Sequence, residues 1–211
     1  MRLEPRQLLL AYAQGIFPMA APSGQILWFD PDPRAILPLD TFHLPRRLQR
    51  TVHQEPFEIR VNEAFAQVIR ACAAPTAGRE ETWISPAIIE AYTELNRLGF
   101  AHSVEAWQEG RLAGGLYGVA INGFFAGESM FTRKRDASKV ALAHLVQHLK
   151  ERNFLLLDVQ FLTDHLRQFG AVEIPRREYK IRLFQALRRE KVFFEDQAPA
   201  GTARPAPRGG E

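Results

Sequence analysis

Two carboxylates set inside apolar runs are the residues of this chain best suited to chemistry. Glu128 follows the apolar stretch 121–126 within Gly127-Glu128-Ser129-Met130-Phe131, and Asp158 follows Leu155-Leu156-Leu157 within Asp158-Val159-Gln160. An acid desolvated by apolar neighbours is costly, and strongly perturbed acids gather at functional sites. Asp158 and Gln160 stand two apart on an expected strand, so their side chains leave on one face. If Glu128 ends a neighbouring strand, one acid from each strand and an amide converge on a single cleft. That trio can place an amine nucleophile against a carbonyl, with Asp158 holding Gln160 or taking the proton itself. The Gln160 amide can accept or relay a hydrogen bond but is no strong base. The competing reading is a pair of buried acids satisfied by backbone or Arg, with Gln160 a polar residue at a sheet edge.

Other chemistries find less support. His144 and His148 are four apart on an expected helix, a zinc-like spacing, yet no third ligand is evident and they read as a solvated helix face. No metal site is expected. The single cysteine, Cys72, excludes an internal disulfide and sits among Val68, Ile69, Ala71 and Ala73 as a buried helical thiol. A phosphate loop of the G-x-x-x-x-G-K-[ST] form is absent, which argues against direct use of ATP.

The elements that must position these acids read as mixed α/β. Residues 5–14 form a short helix closed by Gly15. Residues 22–40, rich in proline and carrying Trp28, Phe29 and Arg34, read as irregular, aromatic-rich structure. Arg46, Arg47 and Arg50 follow Pro45 as a basic patch. Phe57, Ile59 and Val61 alternate as a strand, and Asn62 is the expected N-cap of a helix carrying Phe65, Val68, Ile69 and Cys72. Residues 75–82 form a loop, and Ser85-Pro86 opens a helix that Gly99 closes. Three strands over 102–107, 112–119 and 121–131 are joined at Glu109-Gly110 and Asn122-Gly123. An amphipathic helix spans 137–152 and an apolar strand 154–161. Thr163 caps a short helix over 164–169, followed by a strand at 172–174, a basic helix over 175–190 and a final strand at 192–194.

This order is that of a GCN5-related acyltransferase-like fold: a mixed sheet flanked by helices, with a cleft where two central strands splay apart. The expected division is a small N-terminal domain over 1–56, a catalytic domain over 57–195, and a disordered tail over 196–211 rich in Pro, Gly and Ala. Acyl-CoA enzymes of that fold grip the donor's pyrophosphate with a Gly-rich loop. Here the place holds Thr132-Arg133-Lys134-Arg135-Asp136, which suits a phosphodiester backbone rather than acetyl-CoA. Charge agrees: residues 132–192 hold fourteen Lys/Arg against seven Asp/Glu, while residues 61–131 hold four against eight. A polyanion docking on one side fits that asymmetry, as do solvated Arg-rich helix faces. The N-terminus reads as neither signal peptide nor membrane span, so a cytoplasmic protein is expected.

With these segments assembled, the chain resembles the leucyl/phenylalanyl-tRNA–protein transferase family. The matching motifs are Tyr12-Ala13-Gln14-Gly15-Ile16-Phe17-Pro18, Leu27-Trp28-Phe29-Asp30-Pro31-Asp32-Pro33-Arg34 and Thr82-Trp83-Ile84. Further along come Ala101-His102-Ser103-Val104-Glu105-Ala106-Trp107, Gly114-Gly115-Leu116-Tyr117-Gly118, the segment around Glu128 with Ala137-Ser138-Lys139, and Asp158-Val159-Gln160. Gly170-Ala171 and Ile174-Pro175-Arg176-Arg177 complete an ordered set over roughly residues 8–180.

The resemblance implies transfer of Leu or Phe, less well Met, from aminoacyl-tRNA to proteins with N-terminal Arg or Lys. Their entry into N-degron turnover follows, with no cofactor, because the aminoacyl ester is already activated. It implies Asp158 and Gln160 assisting the amine, Glu128 orienting a substrate group, and an apolar side-chain pocket of Leu116, Phe125, Met130, Leu142, Leu149 and Leu157. Such a pocket rejects Val and Ile by shape, at about 1–3 kcal/mol per misfit methyl. It also implies Trp83 stacking near the terminal adenosine and Arg46 and Arg50 meeting the acceptor stem, beside the basic Arg133 and Lys134. Met19, where many relatives carry an aromatic, and His53 and Gln54, where they carry more arginine, depart from the pattern. A tRNA-dependent peptide-bridge aminoacyltransferase or a non-catalytic RNA-binding module are the alternative readings.

Overall fold

The structure, a computed structural model, describes residues 3–75, 82–189, 192, 194 and 195. In chain order the elements are α1 (Pro5–Ala13), β1 (Phe17–Ala20), β2 (Ile26–Phe29), β3 (Arg34–Ile36), α2 (Arg46–His53), β4 (Glu58–Val61), α3 (Phe65–Ala73), α4 (Pro86–Arg97), β5 (Ala101–Gln108), β6 (Arg111–Ile121), β7 (Phe124–Thr132), α5 (Ala137–Glu151), β8 (Leu156–Gln160), α6 (Asp164–Arg167), β9 (Val172–Ile174) and α7 (Arg176–Leu187). β1 and β2 form a two-stranded sheet, and the remaining strands form a seven-stranded mixed sheet in the order β4-β5-β6-β7-β8-β3-β9. The chain is therefore a mixed α/β fold flanked by helices, as the pattern of elements predicts.

Strand alternation divides the core into two layers. Phe124, Ala126 and Leu156 face a cluster shared with α1, α3, α4 and α7, including Leu8, Tyr12, Val68, Ile88, Tyr92 and Leu183. Their neighbours Phe125 and Leu157 face the opposite cluster, built on Val140, Leu142, Leu145 and Leu149 of α5. The period of two in the strands thus feeds both layers from one sheet. The turns behave as their residues predict: Glu109 and Gly110 both hold positive φ, as does Asn122. Ser85 caps α4 by accepting from the Ile88 N–H at 3.4 Å, and Thr163 caps α6 by accepting from Leu166 at 3.2 Å.

Three expectations are corrected. Asn62 does not cap α3: its Oδ1 accepts from the Ser103 N–H at 2.9 Å and from Asn96 Nδ2 at 3.2 Å. The start of α3 is served instead by buried Glu105, whose Oε1 accepts from the Ala64 N–H at 2.7 Å. A long-range acid thus takes the part assigned to a local amide. Residues 22–40 are not irregular throughout, because they contain β2 and β3. β3 is inserted between β8 and β9, pairing antiparallel with both, so the N-terminal 56 residues contribute a strand to the main sheet. Finally, His148 is not simply solvated: its Nε2 meets the Phe194 carbonyl oxygen at 2.5 Å and its ring lies 4.6 Å from the Phe194 ring. The expected tail over 196–211 lies outside the described residues, as do residues 76–81 of the expected loop and residue 193 of the expected last strand. No helix among the described residues is long and apolar enough to cross a membrane.

Candidate active site

The site forms where two central strands part. β7 and β8 are parallel and pair at Phe124↔Leu156, Phe125↔Leu157 and Ala126↔Asp158. Past that point a cavity of about 280 Å³ opens between Gly127–Met130 on one strand and Val159–Phe161 at the end of the other. Glu128 owes its direction to a β-bulge. Across the β6–β7 ladder Gly118 pairs with Gly127 and Tyr117 with Ser129, leaving Glu128 as the extra, unpaired residue. Only glycine fits opposite: a Cβ on Gly118 would stand 2.3 Å from the Ala126 carbonyl oxygen and 2.4 Å from the Phe125 ring.

Glu128 is held by three donors. Tyr12 donates to Oε1 at 2.7 Å, Gln160 Nε2 to the same oxygen at 3.3 Å, and Tyr92 to Oε2 at 3.5 Å. The Tyr12 and Tyr92 hydroxyls are also in short contact with each other. Burial pushes the Glu128 carboxyl up to about 8, against the Tyr12 hydrogen bond and with the help of the Asp158 charge. Both phenols are pushed well above their ordinary range, by burial first and by Glu128 second. The result is an acid that titrates near neutrality at the wall of a largely apolar cavity.

Asp158 has a different environment from the one expected. Its Oδ1 accepts from Arg34 Nε at 2.9 Å and from the Gln160 N–H at 3.0 Å. Its Oδ2 accepts from Arg34 Nη2 at 2.6 Å and from the Tyr179 hydroxyl at 3.0 Å. Both Asp158 and Arg34 are fully buried, and the guanidinium is sandwiched 4.7 Å from the Phe17 ring and 4.5 Å from the Tyr179 ring. Gln160 has a positive φ of 59°, so the two side chains do not share a face: Gln160 turns to Glu128 while Asp158 turns to Arg34. The alternation rule fails here because the strand ends in a left-handed residue, stabilised by Asp158 bonding the backbone two residues on. Glu128 and Gln160 therefore meet in the cavity, and Asp158 lies behind them.

Of the apolar residues expected to form a side-chain pocket, Leu116, Met130, Leu142 and Leu157 line the cavity, together with Leu145, Val159 and Leu166, which the sequence reading missed. Phe125 and Leu149 lie one layer out in the core, Phe125 stacked 5.2 Å from Phe194. Trp83 lines the cavity beside Phe17 and Met19, and its carbonyl accepts from the Ala20 N–H at 3.1 Å. Arg46 and Arg50 lie away from it, exposed on α2 around a shallow recess with His53 and Gln54. Between them Arg47 reaches Asp136 at 3.0 Å, tying α2 to the start of α5. Arg133 and Lys134 border another recess with Trp107 and Arg111. Among the described residues no group of three or more His, Cys, Asp or Glu could hold a metal ion.

Tyr12, Tyr92, Arg34 and Tyr179 are the site-building residues that reasoning from sequence missed. Tyr12 and Arg34 stand inside the quoted motifs, but nothing local to them names a partner more than a hundred residues away.

Comparison with known proteins bears on this geometry. The family model for leucyl/phenylalanyl-tRNA protein transferase matches residues 36–184, and the model for its N-terminal domain matches residues 1–32. A leucyl/phenylalanyl-tRNA–protein transferase of Phenylobacterium zucineum is 55% identical over 202 residues, covering 95% of this chain and 91% of that protein. One of Herpetosiphon aurantiacus is 55% identical over 193 residues, covering 91% and 98%. One of Gloeobacter violaceus is 56% identical over 186 residues, covering 88% and 94%. With two family models spanning nearly the whole described fold and relatives this similar, the chain belongs to the leucyl/phenylalanyl-tRNA–protein transferase family.

Proposed function

We propose that this protein transfers leucine or phenylalanine, and methionine less well, from aminoacyl-tRNA to the N-terminal amine of proteins beginning with Arg or Lys. The observation that carries this reading is a cavity with an apolar wall of Leu116, Met130, Leu142 and Leu157 that also presents Glu128 and Gln160. The wall receives the donor's side chain and Glu128 orients a substrate amine. Gln160, fixed by its bonds to Glu128 and Asp158, positions the reacting groups. In the transfer the acceptor nitrogen attacks the ester carbonyl carbon, the C–N bond forms, and the C–O bond to the terminal ribose breaks. The departing ribose oxygen leaves with the proton the amine gives up, so atoms balance without a nucleotide or metal.

Trp83 stacks on the terminal adenine at the cavity rim. Arg46, Arg50, Arg133 and Lys134 meet backbone phosphates. The products would enter N-degron turnover in the cytoplasm. The test mixes purified protein with radiolabelled Leu-tRNA and peptides starting with Arg, Lys or Ala, without ATP or CoA. Label on the Arg and Lys peptides only supports the reading. tRNA binding without transfer would instead leave an RNA-binding module.

A further inference from the structure

Helix α7 has two unlike faces. Tyr179, Leu183 and Ala186 are buried in the core. Opposite them, Arg177, Ile181, Phe184 and Arg188 recur four, three and four residues apart and so form one line along the helix. Ile181 and Phe184 are 53% and 59% exposed. The Arg188 guanidinium lies 5.4 Å from the Phe184 ring, and neither Arg188 nor Arg177 pairs with an acid among the described residues. Glu178 stands to one side of the line and is held by Arg182 at 2.5 Å. The neighbouring α1, whose end Lys180 joins through the Gln14 carbonyl oxygen, adds Leu10, 54% exposed, with Arg6 one turn before it. The molecule thus presents an apolar ridge bracketed by unpaired cations.

Charge and shape together decide what this ridge fits. A second copy fails: a two-fold, antiparallel pairing that sets Ile181 on Phe184 also sets Arg177 against Arg188, with no acid between them. The C-terminal residues 196–211 offer no cover, since they hold no Leu, Ile, Val, Met or aromatic side chain and carry no net charge. Duplex RNA supplies phosphates but nothing apolar for Ile181. The α2 cations proposed above for tRNA also belong to the opposite side of the sheet, where Leu48 is buried with α5. A protein groove seats a helix by apolar anchors repeated over successive turns, and here two stand a single turn apart. An anionic bilayer needs neither groove nor register. Its phosphates take the arginines while Ile181, Phe184 and Leu10 enter the acyl boundary.

We propose that the outward face of α7, with Leu10 of α1, is a peripheral docking surface for anionic lipid bilayers. The test sediments the full chain with vesicles of phosphatidylcholine alone and of equal parts phosphatidylcholine and phosphatidylglycerol. Binding should appear with the mixed vesicles only and weaken as salt is raised. Each arginine near such a surface is worth about fivefold in affinity, so Arg177→Gln with Arg188→Gln should lose about 25-fold. Ile181→Ser with Phe184→Ser should lose about tenfold or more on the same vesicles. Neither pair of substitutions touches the core, so Tm, tRNA binding and lipid-free transfer to peptides should stay level. Binding to neither vesicle, equal binding to both, or full binding by both variants would overturn the assignment. Weakened tRNA binding in the arginine variant would give the ridge to RNA instead. A dimer in light scattering that Ile181→Ser with Phe184→Ser dissolves would give it to a second copy, and either result would also overturn the proposal.

Discussion

At the scale of single residues, the two acids that look alike in sequence do opposite things in the fold. Asp158 is ionically paired and sealed, while Glu128 is bonded only by neutral groups and pushed up to about 8. Linkage then fixes a sign. Below about pH 4.5, the ordinary value for Glu, the carboxyl is protonated in both folded and unfolded chains. Between there and about 8 the folded chain keeps a proton the unfolded chain has lost, so stability falls as pH rises and the loss is complete above about 8. Glu128→Gln should abolish this slope. Melting temperatures of variant and wild type should coincide in acid and diverge towards pH 8, the variant being the more stable, while its transfer rate drops at least about tenfold. Parallel melting curves at every pH would show that Glu128 titrates normally. Asp158→Asn should behave otherwise. It leaves the buried Arg34 guanidinium without its counter-charge and should cost about 3–5 kcal/mol in denaturant unfolding, with transfer lost too. Both acids were visible in the sequence because a charge inside an apolar run is conspicuous. Which was paired was not, because Arg34 lies 124 residues from Asp158 in the chain.

At the scale of elements, the cavity is the product of a bulge, a splay and a left-handed strand end. β6 supplies Gly118 where β7 carries its extra residue, and β8 turns at Gln160 once its pairing with β7 has ended. Gly118→Ala should force the bulge or the Phe125 ring to move, costing about 1–3 kcal/mol in stability. Because the same shift re-aims Glu128, transfer should fall further than stability alone explains, as assays well below the melting temperature would reveal. Full activity in a stable Gly118→Ala protein would show that the bulge does not set the direction of Glu128. Hairpin turns and the Ser85 and Thr163 caps were legible because a few adjacent residues decide them. The bulge was not, since it is a relation between two strands. The missing Asn62 cap has the same origin: Glu105 reaches the α3 terminus from β5, the strand paired with β4.

At the scale of the whole molecule, distant segments are tied to one another around the site. The Asp30–Arg34 stretch grips α7: Asp32 Oδ1 accepts from the Arg176 N–H at 3.0 Å, and Lys180 pairs with Asp30 at 2.9 Å. The basic residues of α2 and of the loop before α5 are brought near each other by the Arg47–Asp136 pair. If these surfaces meet tRNA phosphates, Arg46→Ala should weaken tRNA binding across all sequences. It should also flatten the dependence of log K on log salt by about one unit, leaving turnover at saturating tRNA near normal. An unchanged slope would remove Arg46 from the interface.

What the sequence by itself determined is the set of elements with their local punctuation, the two acids, and the ordered motifs that mark the family. Apolar periodicity, turn residues and caps act over a few residues, so they survive in a linear reading. The tertiary structure alone decided that β3 lies between β8 and β9, that Asp158 is neutralised by Arg34, and that Glu128 rests among phenols. It alone decided that Leu116, Met130, Leu142 and Leu157 reach the cavity while Phe125 and Leu149 lie one layer out. Each of these depends on which strands become neighbours and where their pairing stops, and long-range pairing leaves no local trace in the chain.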